Sequence, residues 1–315
     1  MKTYTAAEKP ALCFIGVTTS ASSIMRVFPA WAKHLRLGGA TIRGIDLRIH
    51  DRVDSYREAI KFLKHDSKSV GAVITTHKID LFRACRDLFD ELDLYARLTE
   101  EISCISKRDG QLRGHAKDPV SAGLSLEAFL PDSYWQNTRA EALILGAGGS
   151  SIATTAYLLA PRHGANRASR ILVTDRNAAR LKKIEKIHHQ IAQPAPLEYH
   201  LVCKQADNDT LVNMLKPGSL VINATGLGKD RPGSPISDNA KFPEYGYAWE
   251  FNYRGDLVFL DQARTQQQNC HLHVEDGWLY FIHGWTRAIA EIFGIEIPTK
   301  GPEFDRVADI ASKLR

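Results

Sequence analysis

The segment Ala142-Leu-Ile-Leu-Gly-Ala-Gly-Gly-Ser-Ser-Ile-Ala153 narrows the folds open to this chain more than any other. An apolar run from Ala142 to Leu145 stops at a glycine cluster, Gly146, Gly148 and Gly149, and a helix-compatible run follows over 152–160. Placed end to end, these are a buried strand, a tight turn and a helix N-terminus. Glycines at such a turn let the backbone approach a pyrophosphate, and the free N–H groups of the helix start then face its charge. Ser151 stands where the usual fingerprint has its third glycine, and it is small enough for close helix–strand packing. A glycine pattern alone is weak; the strand before it and the helix after it give this one its meaning. The competing reading is a purely structural glycine turn.

The chain has 315 residues, enough for two domains at roughly 150 residues each. With 44% hydrophobic and 24% charged residues it has the composition of an ordinary soluble globular protein. The net charge of +5 is modest, and no basic block stands out to bind nucleic acid. The five cysteines (Cys13, Cys85, Cys104, Cys203, Cys270) are odd in number, scattered, and never in C-x-x-C spacing. Neither a disulfide framework nor a metal site is expected from them. Residues 1–10 lack the apolar centre of a signal peptide, and no apolar run approaches the ~20 residues of a membrane span. These features predict a cytoplasmic protein with no nucleic-acid, membrane or metal partner; a small anionic molecule would suit the mild positive charge, but charge does not decide it. They say nothing about its oligomeric state.

Short β-rich runs alternate with amphipathic stretches. Residues 12–17, 41–47 and 70–74 read as strands, and 24–37, 55–64 and 79–94 as helices. Such alternation predicts an α/β domain with a largely parallel sheet. Asp109-Gly110 marks a hairpin that closes through 111–114, and 131–139 reads as a polar connection. After the glycine turn come a strand at 170–175, a charged helix at 178–193, and strands at 197–202 and 220–225. The last runs into Gly226-Leu-Gly228, a loop at a strand's C-terminal end, where ligands of open α/β sheets gather. Further strands are expected at 247–253 and 270–274, a helix from 278 onward, and a final helix over 303–314.

Two residues upstream of the glycine turn carry chemistry: Lys78, in Val73-Ile-Thr-Thr-His-Lys78, and Asp118, in Gly114-His-Ala-Lys-Asp118. A lysine and an aspartate held together can move a proton to or from a hydroxyl. A lysine so used needs its pKa lowered by burial, with the carboxylate orienting it. Alone, each could equally be a solvated surface charge.

The order of the motifs resembles the shikimate/quinate dehydrogenase family over essentially the whole chain. Gly16 with Ser20-Ala-Ser22-Ser23 is similar to that family's opening strand, glycine and Ser-x-Ser pair. The stretch 71–78 resembles its Gly-x-Asn-Val-Thr-x-Pro-x-Lys motif when Val73 and Lys78 are aligned. Asp109-Gly110, Gly114 to Asp118, Gly-Ala-Gly-Gly at 146–149 and Val-Ile-Asn-Ala-Thr with Leu-Gly at 221–228 follow in the family's order. The resemblance implies an α/β protein with three parts. An α/β substrate and catalytic domain would occupy 1–125, and a Rossmann domain with a doubly wound parallel sheet 126–270. C-terminal helices would occupy 271–315 and return to the first domain. It implies NAD(P)-dependent hydride transfer to and from a secondary alcohol, with Lys78 and Asp118 as the catalytic pair. The dinucleotide would lie on Gly146, Ala147, Gly148, Gly149, Ser150, Ala224, Thr225 and Gly226.

On the substrate side the chain departs from the family. Ala72 and Ile74 replace its Asn and Thr, Thr76 its proline, Ser103-Cys104 a later Asn-Thr, and Ala116-Lys117 the Asn-Thr before the catalytic Asp. A buried hydroxyl that loses its partner costs ~1–3 kcal/mol, so shikimate itself is doubtful as substrate. Ser20, Ser22, Thr76, Ser103 and His283 are the remaining candidate substrate contacts, with a serine turn that caps the next helix and a core histidine as the plainer readings. Asp175 ends a strand where an acid commonly bonds the adenine ribose, which suggests NAD. Arg176 and Arg180 stand where a 2′-phosphate would be clamped, which suggests NADP. Two other readings stay open: an enzyme like methylene-tetrahydrofolate dehydrogenase, and a non-catalytic dinucleotide-binding protein.

Overall fold

The first apolar run forms β1 (Ala11–Gly16), buried along its whole length, in a computed structural model that describes residues 4–191, 196–229 and 231–315. In α1 (Ile24–His34) the apolar stripe Ile24, Val27, Phe28 and Trp31 is fully buried. There follow β2 (Thr41–Asp46), α2 (Val53–His65), β3 (Ser69–Ile74), α3 (Lys78–Cys85), β4 (Glu91–Leu92), α4 (Leu94–Thr99), β5 (Cys104–Arg108) and β6 (Gln111–His115). These strands form a six-stranded sheet in the order β2-β1-β3-β5-β6-β4. Its β1, β2 and β3 are parallel, but β5 is antiparallel to both β3 and β6. Only β5 runs against the other five strands, so the sheet is largely parallel, as expected. The reversal comes from the β5–β6 hairpin, whose turn residues Asp109 (φ 51°) and Gly110 (φ 75°) both take the left-handed conformation that tight hairpins need.

The single helix expected at 79–94 is instead α3, a short 3-10 turn and β4. Asp90 decides this: its N–H donates to the Leu112 carbonyl (2.9 Å) and its Oδ2 accepts from the Leu112 N–H (2.8 Å). The chain is pulled straight and pairs with β6. Leu88, Phe89 and Leu92 still pack on the core, which is why their spacing imitates a helix.

The second sheet is built from α5 (Asp118–Phe129), α6 (Tyr134–Thr138), β7 (Ala142–Leu145), α7 (Gly149–Leu158), β8 (Ile171–Asp175), α8 (Ala178–Ile191), β9 (Leu197–Leu201), α9 (Gln205–Asn213), β10 (Leu220–Asn223), β11 (Tyr247–Glu250), α10 (Val258–Gln266) and β12 (His273–Glu275). Its six strands run parallel in the order β12-β11-β10-β7-β8-β9. The order reverses at β7, so the crevice beyond β7 and β10 is the switch point where such sheets bind ligands. Residues 131–139, read as a connection, contain α6. Of the helix expected at 178–193, residues 192–193 lie outside the described residues.

The chain closes with α11 (Trp278–Phe293) and α12 (Pro302–Ser312). It divides into two compact units, one made of residues up to Asp118 together with Ile282–Arg315, the other of Pro119–Phe281. Because β12 belongs to the second sheet, the segment that returns to the first unit begins at Ile282, not at 271. Within the first unit α12 packs on α1, and the Trp31 indole N–H donates to the Val307 carbonyl (2.9 Å). No helix among the described residues is long and apolar enough to cross a membrane.

Candidate active site

Since β5 runs antiparallel to β3 and to β6, those two strands point the same way and end on one edge of the sheet. Lys78 opens α3 just beyond β3, and Asp118 opens α5 just beyond β6. Hydrogen bonds lace the three strands together there. The Ser103 carbonyl accepts from the Ile74 N–H (2.8 Å), the His115 carbonyl from the Ser103 N–H (2.8 Å), and Ser103 Oγ from the Lys117 N–H (2.7 Å). This brings Lys78 Nζ onto Asp118 Oδ2 across 40 residues of chain. Asp118 is buried and Lys78 half-buried. Burial works against the Lys78 ammonium, but the Asp118 and Glu101 carboxylates outweigh it and hold the Lys78 pKa above the ordinary lysine value. The expectation of a lowered pKa is thereby corrected. Its cause is partly Glu101, only 1% exposed, which nothing in the local sequence distinguishes from a surface acid. In this form the pair is a proton donor.

The strand β1 is parallel to β3 and ends on the same edge at Gly16. The turn that follows it is held by the Thr19 N–H, which donates to Asp46 Oδ1 (2.8 Å). A Cβ on Gly16 would lie 3.3 Å from Thr75 Oγ1, so the turns after β1 and β3 touch. Ser20 is exposed and Ser22 half-buried. Ser23, at the N-cap of α1, makes no side-chain cap bond, so capping does not account for the serine cluster. Thr76 is exposed; the hydroxyl that reaches Gly16 belongs to Thr75, which the motif alignment passed over. Ala72 and Ile74, read above as departures toward a new substrate, are core residues of the first unit. Their apolar character answers to packing.

The Ser103 hydroxyl is used on both sides, since it also donates to the His115 carbonyl (3.4 Å). The Lys117 ammonium lies 2.9 Å from Glu291 Oε2. His283 does not fit a direct ligand contact. It is 1% exposed and its ring stacks on Phe304 from α12, with centroids 4.6 Å apart. Burial, with Arg287 adding to it, pushes its pKa down to about 4.

In the second unit Gly146 ends β7 at φ 104°, a conformation that favours glycine, and a Cβ there would lie 3.0 Å from the Ala224 carbonyl oxygen. Ser151 is buried and bonds back to the Gly146 carbonyl (2.5 Å), which is how a serine replaces the third glycine. The N-terminus of α7 has no side-chain cap, and a Cβ on Gly148 would meet nothing within 4 Å. Uncapped N–H groups beside open space fit a pyrophosphate. The buried Asp175 carboxylate accepts from the Ala147 N–H (2.8 Å) and the Asn177 N–H (2.8 Å), tying β8 to the glycine turn. Ser150 is half-buried, and Arg176 and Arg180 are exposed. Ala224 and Thr225 are half-buried and Gly226 exposed. Among the described residues no three His, Cys, Asp or Glu side chains are grouped to hold a metal ion.

No model of a known family matches the chain. Its sequence is similar to shikimate dehydrogenase (NADP+) of Streptococcus thermophilus, 30% identical over 182 residues, a stretch that covers 56% of this chain and 58% of that protein. The match thus spans less than two thirds of the relative. In structure it is similar to quinate dehydrogenase from Corynebacterium glutamicum in complex with NAD, with a TM-score of 0.73 and 19% identity over 97% of this chain and 99% of that one. It is also similar to ligand-free 5-ketofructose reductase of Gluconobacter sp. strain CHM43, with a TM-score of 0.67 and 18% identity over 98% and 100%. The chain has the fold of the shikimate/quinate dehydrogenases and is a sequence relative of the shikimate dehydrogenases.

Proposed function

We propose that this chain is an NAD(P)-dependent dehydrogenase that interconverts a secondary alcohol and a ketone on a small hydroxy acid. The observation that carries the reading is the contact of Lys78 with Asp118 at the C-terminal edge of the first sheet. The uncapped glycine turn at the switch point of the second supports it. A bound nicotinamide supplies the hydride acceptor or donor. Gly146 to Ser150 and Ala224 to Gly226 would hold the dinucleotide, with Asp175 bracing the turn. Arg176 and Arg180 lie beside an Asp175 whose oxygens already serve backbone N–H groups, and this favours NADP over NAD.

In reduction Lys78 gives its proton to the carbonyl oxygen of the substrate; in oxidation the neutral amine takes the proton of the hydroxyl. Asp118 orients the amine and pairs with the ammonium. Ser20, Ser22, Thr75 and Thr76 offer hydroxyls to the substrate from the neighbouring turns. Shikimate is expected to be turned over poorly: the Ser103 hydroxyl is bonded on both sides, Ala116 carries no donor, and the Lys117 ammonium is engaged by Glu291. All five cysteines are free, and we assign the protein to the cytoplasm. No observation favours the folate-type or the non-catalytic reading.

The test is a panel of cyclic hydroxy acids and polyols, shikimate and quinate included, scored for NADH and NADPH formation. Lys78→Ala should abolish turnover of whichever substrate responds while dinucleotide binding persists. Unchanged turnover in that variant would sink the catalytic assignment, and shikimate turnover at ordinary efficiency would overturn the substrate argument.

A further inference from the structure

The C-terminal ends of β10 and β11 meet in a buried polar knot. Glu250, the last residue of β11, is fully buried. Its Oε2 accepts from Asn223 Nδ2 (2.6 Å), and its Oε1 accepts from the Asn252 N–H (2.8 Å) and Asn252 Nδ2 (2.7 Å). Each asparagine passes the constraint on. Asn223 Oδ1 accepts from the N–H and the hydroxyl of Thr225 (3.0 and 2.6 Å). Asn252 Nδ2 also donates to the carbonyls of Thr225 and Leu227 (3.2 Å each). Thr225 in turn lies on the glycine turn, since a Cβ at Gly146 would sit 3.1 Å from Thr225 Cγ2. One carboxylate is thus linked, through two asparagines, to the loop beside the glycine turn.

We propose that Glu250 is the positioning residue of this loop: ionised, it locks residues 225–227 against the glycine turn through Asn223 and Asn252, and protonated, it releases them and weakens dinucleotide binding. This deepens the dinucleotide reading above and rests on it.

All three groups that touch the carboxylate are donors, the match for an oxygen pair that only accepts. A carboxylic acid would bring its own O–H into those N–H groups. Asn223 cannot turn over to accept it without aiming its NH2 at the Thr225 N–H, and Asn252 cannot without aiming its oxygen at two carbonyls. Proton uptake therefore breaks the lattice at one end or the other. Among the described residues no positive charge is recorded touching Glu250. The Asp276 carboxylate, which follows β12, adds repulsion, and on β12 itself His273 and Glu275 pair with each other (2.7 Å). Burial and Asp276 together outweigh the three hydrogen bonds and push the Glu250 pKa up to about 7.

The dissociation constant of NADH, which carries no 2′-phosphate to titrate, is measured by its fluorescence from about pH 6 to about pH 8.5. Binding that needs the ionised form weakens roughly tenfold between about pH 8 and about pH 6. Glu250→Gln should bind weakly and with little pH dependence, and Glu250→Asp should restore part of the slope. Wild-type protein labelled at its glutamate carboxyl carbons gives a readout without any variant: one buried carboxyl titrating near neutrality by NMR. Binding that is flat with pH, a slope that survives in Glu250→Gln, or no glutamate titrating near neutrality would each overturn the proposal while leaving the dehydrogenase reading intact. Failure of both NADH and NADPH to bind at any pH would overturn that reading and this one with it.

Discussion

Asp118→Asn removes the charge beside Lys78 while keeping the shape of the side chain. Unit charges ~4 Å apart at an effective dielectric of ~20 attract by about 4 kcal/mol. Here the two groups are in direct contact, with 23% and 11% of their side-chain surfaces exposed, so solvent screening is limited. Glu101 remains in place and still favours the ammonium, so the Lys78 pKa should fall from its raised position without losing all of that support. NMR titration of the lysine Nζ signals measures this without any substrate: the Lys78 signal should move down in Asp118→Asn. A variant in which every lysine titrates as before would refute the electrostatic account of the pair. With a substrate in hand, the rise of alcohol oxidation with pH should move to lower pH, and kcat should fall by about 10²–10⁴. The linked stability has a definite sign. The folded pKa is raised, so the pair stabilises the fold below the unfolded lysine pKa of about 10.4, and the gain is lost as pH rises through the folded value.

Gly123→Ala in α5 would place a Cβ 2.1 Å from the Tyr157 ring, and should destabilise the protein by about 1–3 kcal/mol in urea unfolding; an unchanged midpoint would contradict the packing described. His188 is buried between Thr155 Oγ1 and Tyr199 Oη (2.7 Å each), and burial pushes its pKa down to about 4. The native state excludes its proton, so stability present above the unfolded pKa of about 6.5 is lost as pH falls toward 4, by up to about 3 kcal/mol. His188→Gln should flatten that loss, and equal pH slopes for variant and wild type would speak against it.

What was legible from sequence is what is local. The strand, turn and helix around Gly146 are contiguous, so their pattern carries the whole motif, and β7, β8 and β10 fall within a residue or two of their expected places. Lys78 and Asp118 could each be picked out, but their contact depends on β5 reversing between β3 and β6, a pairing written in no single segment. The spacing of Leu81, Leu88 and Leu92 continues a helical period that one aspartate, Asp90, interrupts through hydrogen bonds to β6. His283 sits among aromatic neighbours in sequence, while its stacking partner Phe304 comes from another helix. Ala72 and Ile74 align to a substrate site, yet alternation along β3 sends both into the core. Glu101, next to the exposed Glu100, and Glu250 are acids whose burial is decided entirely by tertiary structure.

The hydrogen bond from Trp31 to the Val307 carbonyl spans 276 residues inside one unit. A ribosome releases the chain in order, so residues 119–281 are complete before α12 exists, and the second unit can close while the first still waits. Until the last helices emerge, Trp31 and Phe28 lack the partners that cover them in the finished protein, Val307 and Phe293. The half of the molecule that begins first in the chain is therefore the last to mature. A nascent or C-terminally clipped chain holds a finished second sheet while the apolar helix face of its first unit is bare, a natural target for chaperones and proteases.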